Sequence, residues 1–195
     1  MSYRVLFFII TLIASTLIGT ITAGYHIWQA KDGQIKIGGN LKLIDHTGKQ
    51  VSENSYKGTW QIVLFGYTFC PDICPTNLMV ITKALNKLGP LSNKITPIFI
   101  TIDPQRDNVK QLASYHDYFH PRFAMLTGTP EQIAKVAKDF RVYYNKNDNK
   151  AGSDYLIDHS SMTYLLDPNS NYVTYFNHGT NPDMMAETLR KYIDK

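Results

Sequence analysis

The feature that most limits what this chain can fold into is a continuous apolar run, Ile62-Val63-Leu64-Phe65, that leads almost at once into Cys70-Pro71-Asp72-Ile73-Cys74-Pro75. A strand over 61–66 with so uniform an apolar centre must be covered on both faces. Beyond Pro75, Leu78, Ile81, Leu85 and Leu88 recur at intervals of three and four, which predicts an amphipathic helix ending at Gly89-Pro90. The segment holding both cysteines of the chain is therefore a strand-to-helix junction.

The same alternation continues on either side. Residues 41–44 read as a strand entering the turn 45–48, with Val51 resuming the pairing, and 57–60 form the turn before the central strand. Residues 95–102 give a second buried strand closed by Asp103-Pro104, and Val109, Leu112, Ala113 and His116 mark one face of the next helix. A third strand spans 123–126. Thr129-Pro130-Glu131-Gln132 supplies a cap, a proline for the first turn and a capping-box glutamine, ahead of Ile133, Val136, Ala137 and Phe140 as a buried face. Polar residues 145–154 read as a loop, 162–166 and 172–176 as a hairpin about Asp167-Pro168-Asn169-Ser170, and Asn181-Pro182-Asp183 as the start of a last helix. The pattern predicts one α/β domain over 40–195, a mixed sheet flanked by helices with an added hairpin.

Residues 1–30 stand apart. From Val5 to Ala30 there is no Asp, Glu, Lys or Arg, and 5–23 is almost wholly apolar or small, which is the length a membrane-spanning helix needs. That length favours an uncleaved anchor over a signal peptide cleaved after Ala23. Arg4 before the run and Lys31 after it orient it weakly; a short cytoplasmic tail with the domain exported is the simpler topology. With no Arg- and Ser-rich presequence in view, the expectation is a single-pass protein of a bacterial inner membrane, its C-terminal domain facing the periplasm after a polar linker at 31–39. The net charge of +4 is spread in mixed-sign clusters, without the basic stripe that nucleic acid requires.

Two cysteines are too few to staple a scaffold, so the core must be hydrophobic. An inert buried pair is the ordinary role of cysteine in a core. Here, however, Pro71, Asp72 and Pro75 make a polar, rigid segment at the end of a strand, where α/β sheets place their sites. Three intervening residues give a wider bite than the Cys-x-x-Cys of thiol oxidoreductases, and thiolates select soft ions such as Cu(I) or zinc, with imidazole as a natural third donor. Of the six histidines, His26, His46, His116 and His120 read as structural or solvated, and His178 as a surface-turn residue. His159, placed just before a strand with Asp158 able to orient its ring, is modestly preferred. Spacing alone cannot join it to the cysteines.

The motifs Gly66-Tyr67-Thr68-Phe69-Cys70-Pro71-Asp72-Ile73-Cys74-Pro75, Ile102-Asp103-Pro104-Gln105-Arg106-Asp107, Leu126-Thr127-Gly128-Thr129, Phe140-Arg141-Val142-Tyr143-Tyr144 and Asp158-His159-Ser160 follow one another as they do in the Sco/SenC family, which the chain resembles from about residue 40 onward. That resemblance implies a thioredoxin-like fold, a site for copper, Cu(I) or Cu(II), made by Cys70, Cys74 and His159, and a role in assembling the copper A centre of cytochrome c oxidase. The partners implied are the oxidase subunit that carries copper A and other copper chaperones. Phe69 departs from the family, many members of which carry His before the first cysteine. Asp103, Arg106 and Asp107 read as structure, with Asp107 capping the following helix and Arg106 paired with a carboxylate. Two other functions stay open. A thiol-disulfide oxidoreductase or peroxiredoxin-like enzyme would use Cys70 and Cys74 as redox thiols, and a structural disulfide would use them for stability alone.

Overall fold

The computed structural model describes residues 37–39, 41–146 and 155–194, with scattered positions between 3 and 24. It divides into two compact units, 1–36 and 37–195. In the first, the described positions are helical and their large apolar side chains, among them Leu12, Leu17, Ile18 and Ile21, are exposed. The hydroxyls of Ser15, Thr16, Thr20 and Thr22 turn back on helix carbonyls three or four residues earlier. Among the described residues no helix is long and apolar enough to cross a membrane. Much of the expected anchor over 5–23, and most of the expected linker, lie outside the described residues; Ile37 packs on the core and Gly38 donates its N–H to the Asp139 carbonyl at 3.0 Å.

The second unit is built on a seven-stranded sheet ordered β2-β1-β5-β4-β3-β8-β9. These are β1 (Lys42–Asp45), β2 (Gln50–Ser52), β3 (Trp60–Gly66), β4 (Ile95–Thr101), β5 (Ala124–Thr127), β8 (Thr163–Leu166) and β9 (Tyr172–Phe176). Strands β3, β4 and β5 run parallel, and the outer pairings are antiparallel. The sheet is mixed, as the alternation of strands and helices predicts. Side chains alternate across it. Ile62 and Leu64 enter a core with α1 (Ile73–Leu88), α2 (Val109–His116) and α4 (Pro182–Ile193), while Val63 and Phe65 enter a core under α3 (Pro130–Asp139).

Helix α1 begins at Ile73, so Pro75 falls in its first turn, with Cys74 inside that turn and Cys70 outside it. Two expectations are corrected. Asp107 does not cap α2; Asn108 does, its side chain accepting from the Gln111 N–H. Not all of 145–154 is loop. Within it Asn145 and Lys146 belong to β6 (Tyr144–Lys146), which pairs with β7 (Ile157–His159) as a separate two-stranded ribbon, and His159 is therefore the last residue of a strand rather than the one before it. Residues 147–154 lie outside those described. Short polar strands such as Tyr144-Asn145-Lys146 carry no apolar alternation for a sequence reading to detect.

Strand order explains how distant residues meet. Strand β8 runs antiparallel to β3, with Thr163 opposite Leu64. The residues just before Thr163 therefore sit beyond the C-terminal end of β3, where the cysteine segment leaves the sheet.

Candidate metal centre

Cys70, Cys74 and His159 converge there, their sulfurs and one ring nitrogen all within 4.8 Å of one another. They are the only such group of three or more His, Cys, Asp or Glu side chains among the described residues. No disulfide joins the cysteines. Cys74 is buried and Cys70 half-buried. The segment is folded back on itself: the Cys70 N–H donates to the Tyr67 carbonyl at 3.2 Å, and the Cys74 N–H donates to Cys70 Sγ at 3.4 Å. Cys70 thus supplies an acceptor to the open N–H groups of the first turn of α1, a position that favours a thiolate.

Two features place the cysteine segment against the end of the sheet. Gly66 has no side chain, and a Cβ there would stand 2.7 Å from Cys74 Sγ and 2.9 Å from the Phe99 ring. Thr68, two residues before Cys70, is fixed by Asp107, which accepts from the Thr68 N–H at 3.0 Å, from its hydroxyl at 2.6 Å and from the Thr101 hydroxyl at 2.6 Å. Burial raises the Asp107 carboxyl, and these three donors oppose the rise. Asp107 ties the cysteine segment to β4, a role that no local pattern around it signals. Gly66 was more legible, since a glycine closing an apolar strand marks close approach.

His159 arrives from β7. Its Nε2 lies 3.4 Å from Cys74 Sγ, and its Nδ1 lies 2.9 Å from the Ser160 carbonyl. A carbonyl can only accept, so Nδ1 carries the proton and Nε2 presents a lone pair to the sulfurs. Where a carboxylate such as Asp158 was expected to orient the ring, a backbone carbonyl does so; Asp158 is exposed. The other histidines stand elsewhere. His46 stacks on His116 at 4.2 Å and accepts the Met125 N–H at Nδ1. His120 accepts the Arg122 N–H, and the exposed His178 pairs with Asn77 at 2.8 Å. His26 lies outside the described residues.

The two thiols are electrostatically unlike. A hydrogen bond from Cys74 pulls Cys70 down to about 3, against the effect of its burial and with help from backbone N–H groups. The same contact, with burial, pushes Cys74 up. One proton is therefore held by Cys74 between a thiolate and an imidazole lone pair. The donor set is two soft sulfurs and one nitrogen, close enough for a single ion with bonds of ~2.0–2.3 Å.

Residues 29–194 match the family model described as SCO1/SenC. The chain is 41% identical over 162 residues to the mitochondrial protein SCO1 homolog 1 of Arabidopsis thaliana, covering 83% of this chain and 48% of that protein. It is 41% identical over 160 residues to a SCO2-like protein of Rickettsia conorii, covering 82% of this chain and 78% of that one. The chain thus spans about half the length of the Arabidopsis relative. Among solved structures it is similar to that of Arabidopsis thaliana ScoI with copper bound, with a TM-score of 0.75 and 41% identity over 81% of this chain and 98% of that one. The likeness gives the second unit the thioredoxin-like fold that the motifs imply.

Proposed function

The chain belongs to the SCO1/SenC family, and from that premise we propose that it is a membrane-anchored copper metallochaperone that assists assembly of the copper A centre of cytochrome c oxidase. Copper is its cargo. Cys70 and Cys74 would hold the ion as thiolates and His159 through Nε2. The observation that carries the reading is the convergence of these three donors within 4.8 Å at the end of β3. Two thiolates suit Cu(I), and the imidazole extends the set to Cu(II), so that the strength of retention depends on oxidation state. Loading displaces the Cys74 proton, and release returns it.

In this reading residues 1–30 anchor the chain in a bacterial inner membrane as a single pass, 31–39 link, and 40–195 form the copper-binding domain on the periplasmic side. The charge-free run supports the anchor, as do the hydroxyls of Ser15, Thr16, Thr20 and Thr22, whose return to helix carbonyls is how such groups are satisfied in lipid. The partners are the copper A-bearing oxidase subunit and copper chaperones that load the site. The test is copper stoichiometry and affinity: His159→Ala should lower Cu(II) affinity by at least tenfold, as loss of a ligand requires, and equal binding would sink the ligand assignment.

A second reading is supported by the unequal thiols. A thiolate at Cys70 beside a protonated Cys74 is the arrangement a thiol-disulfide oxidoreductase uses, with Cys70 attacking and Cys74 resolving. Turnover of peroxide or insulin disulfides by the metal-free chain would favour it.

A further inference from the structure

The three proposed ligands come from two pieces of the molecule that share no sheet. Cys70 and Cys74 belong to the β3–α1 junction, whereas His159 ends the separate β6–β7 ribbon. The pairing of β8 with β3 brings His159 to that end of the sheet, and side-chain contacts between the two pieces adjust how far it stands from the sulfurs. The Tyr67 hydroxyl accepts the Ile157 N–H at 3.2 Å, and the Tyr155 hydroxyl donates to Asp103 Oδ1 at 2.7 Å. The other oxygen of Asp103 pairs with Arg106.

Arg106 is the common element. Its guanidinium carbon lies 3.6 Å from the ring centre of Tyr155, 4.8 Å from that of Phe69 and 5.6 Å from that of Tyr67. Phe69 immediately precedes Cys70, and Tyr155 stands four residues before His159. One planar cation, held by the buried Asp103 at the end of β4, thus meets an aromatic face from each ligand-bearing piece. A guanidinium can stack on several rings while its edge stays paired with a carboxylate, which an ammonium cannot do. The departure at Phe69 gains a purpose: in this chain the residue before the first cysteine supplies the loop's side of the clamp.

Resting on the copper-binding reading, we propose that Arg106 is a positioning residue that couples the cysteine segment to the His159 strand through Phe69 and Tyr155, and so sets the spacing of the third donor from the two sulfurs.

The test uses the full-length chain in detergent, with two readouts. One is amide hydrogen exchange over 155–160 without metal; the other is the affinity and electron paramagnetic resonance spectrum of added Cu(II). Phe69→Leu changes a side chain that is 51% exposed and endangers folding little. It should speed exchange over 155–160 severalfold, lower Cu(II) affinity about tenfold and move the spectrum toward that of His159→Ala, in the range known for residues that orient metal ligands. Arg106→Met should do at least as much, and adding Phe69→Leu to it should add nothing. The proposal is overturned if Phe69→Leu leaves both readouts unchanged, or if its effects add in full to those of Arg106→Met. Should Arg106→Met not fold, Phe69→Leu decides alone. If the unsubstituted chain takes up no copper, the functional reading fails, while exchange in the metal-free chain still decides the coupling.

Discussion

Two thiols four residues apart titrate in opposite directions because a single proton lies between them. Cys70, pulled down to about 3, is a thiolate in mildly acidic solution, whereas Cys74 is raised and buried. Iodoacetamide at about pH 5 should therefore alkylate Cys70 and spare Cys74, read by peptide mass spectrometry; equal labelling would contradict the asymmetry. The linkage has a definite sign. Folding lowers Cys70 from its ordinary value of 9, so its contribution to metal-free stability is complete above that pH and is lost as pH falls through about 3. Cys74, raised, contributes below pH 9 and loses its contribution only in alkali. Gly66 gives a second prediction at this scale. With Cys74 Sγ 2.7 Å from where a Cβ would stand, Gly66→Ala should displace the sulfur and weaken Cu(II) binding about tenfold in a titration, while the fold survives by circular dichroism. The cysteines and His159 could be singled out from their residue types and motifs. Asp107 could not be read correctly, because its three donors come from Thr68 and Thr101, and a carboxylate next to a helix start looks like a cap from sequence alone.

Elements whose instructions are local were the legible ones. Helix α3 carries its own: Thr129 accepts from the Gln132 N–H, Gln132 accepts from the Thr129 N–H, Pro130 opens the first turn, and Ile133, Val136 and Ala137 face the core. Thr129→Ala should cost about 1 kcal/mol in urea unfolding, the usual loss for an N-cap, and an unchanged midpoint would show the cap to be redundant. Helix α1 was legible in its buried stripe, although its N-cap Asp72 makes no side-chain capping bond that would mark its first residue. The β6–β7 ribbon was illegible. Among the described residues three residue pairs join its strands, and its buried apolar residue, Ile157, packs into the core of the domain. An element stabilised mainly by what it rests on leaves little trace in its own sequence.

For the molecule as a whole, the α/β class followed from apolar runs, but the strand order did not. Nothing in 163–166 says that β8 must pair with β3 rather than with the edge at β2; that choice comes from long-range packing. It is nonetheless the choice that brings His159 to the cysteines. Both faces of the sheet are packed, and Phe99 is wholly buried beneath α1, its ring also touching Tyr115. Phe99→Ala should lower unfolding free energy by about 3–5 kcal/mol, and a loss under 1 kcal/mol would mean that this face is less tightly packed than described. The strand order also has a mechanical side. Cys74 and His159 are 85 residues apart along the chain, so an ion gripped by both turns an open string into a ring. A ring of this size deprives the unfolded chain of freedom worth on the order of 4 kcal/mol in the case of a covalent link. A copper ion held there would do the same work as a clasp that can be undone, and its release would give up a fastening between two distant parts of the chain.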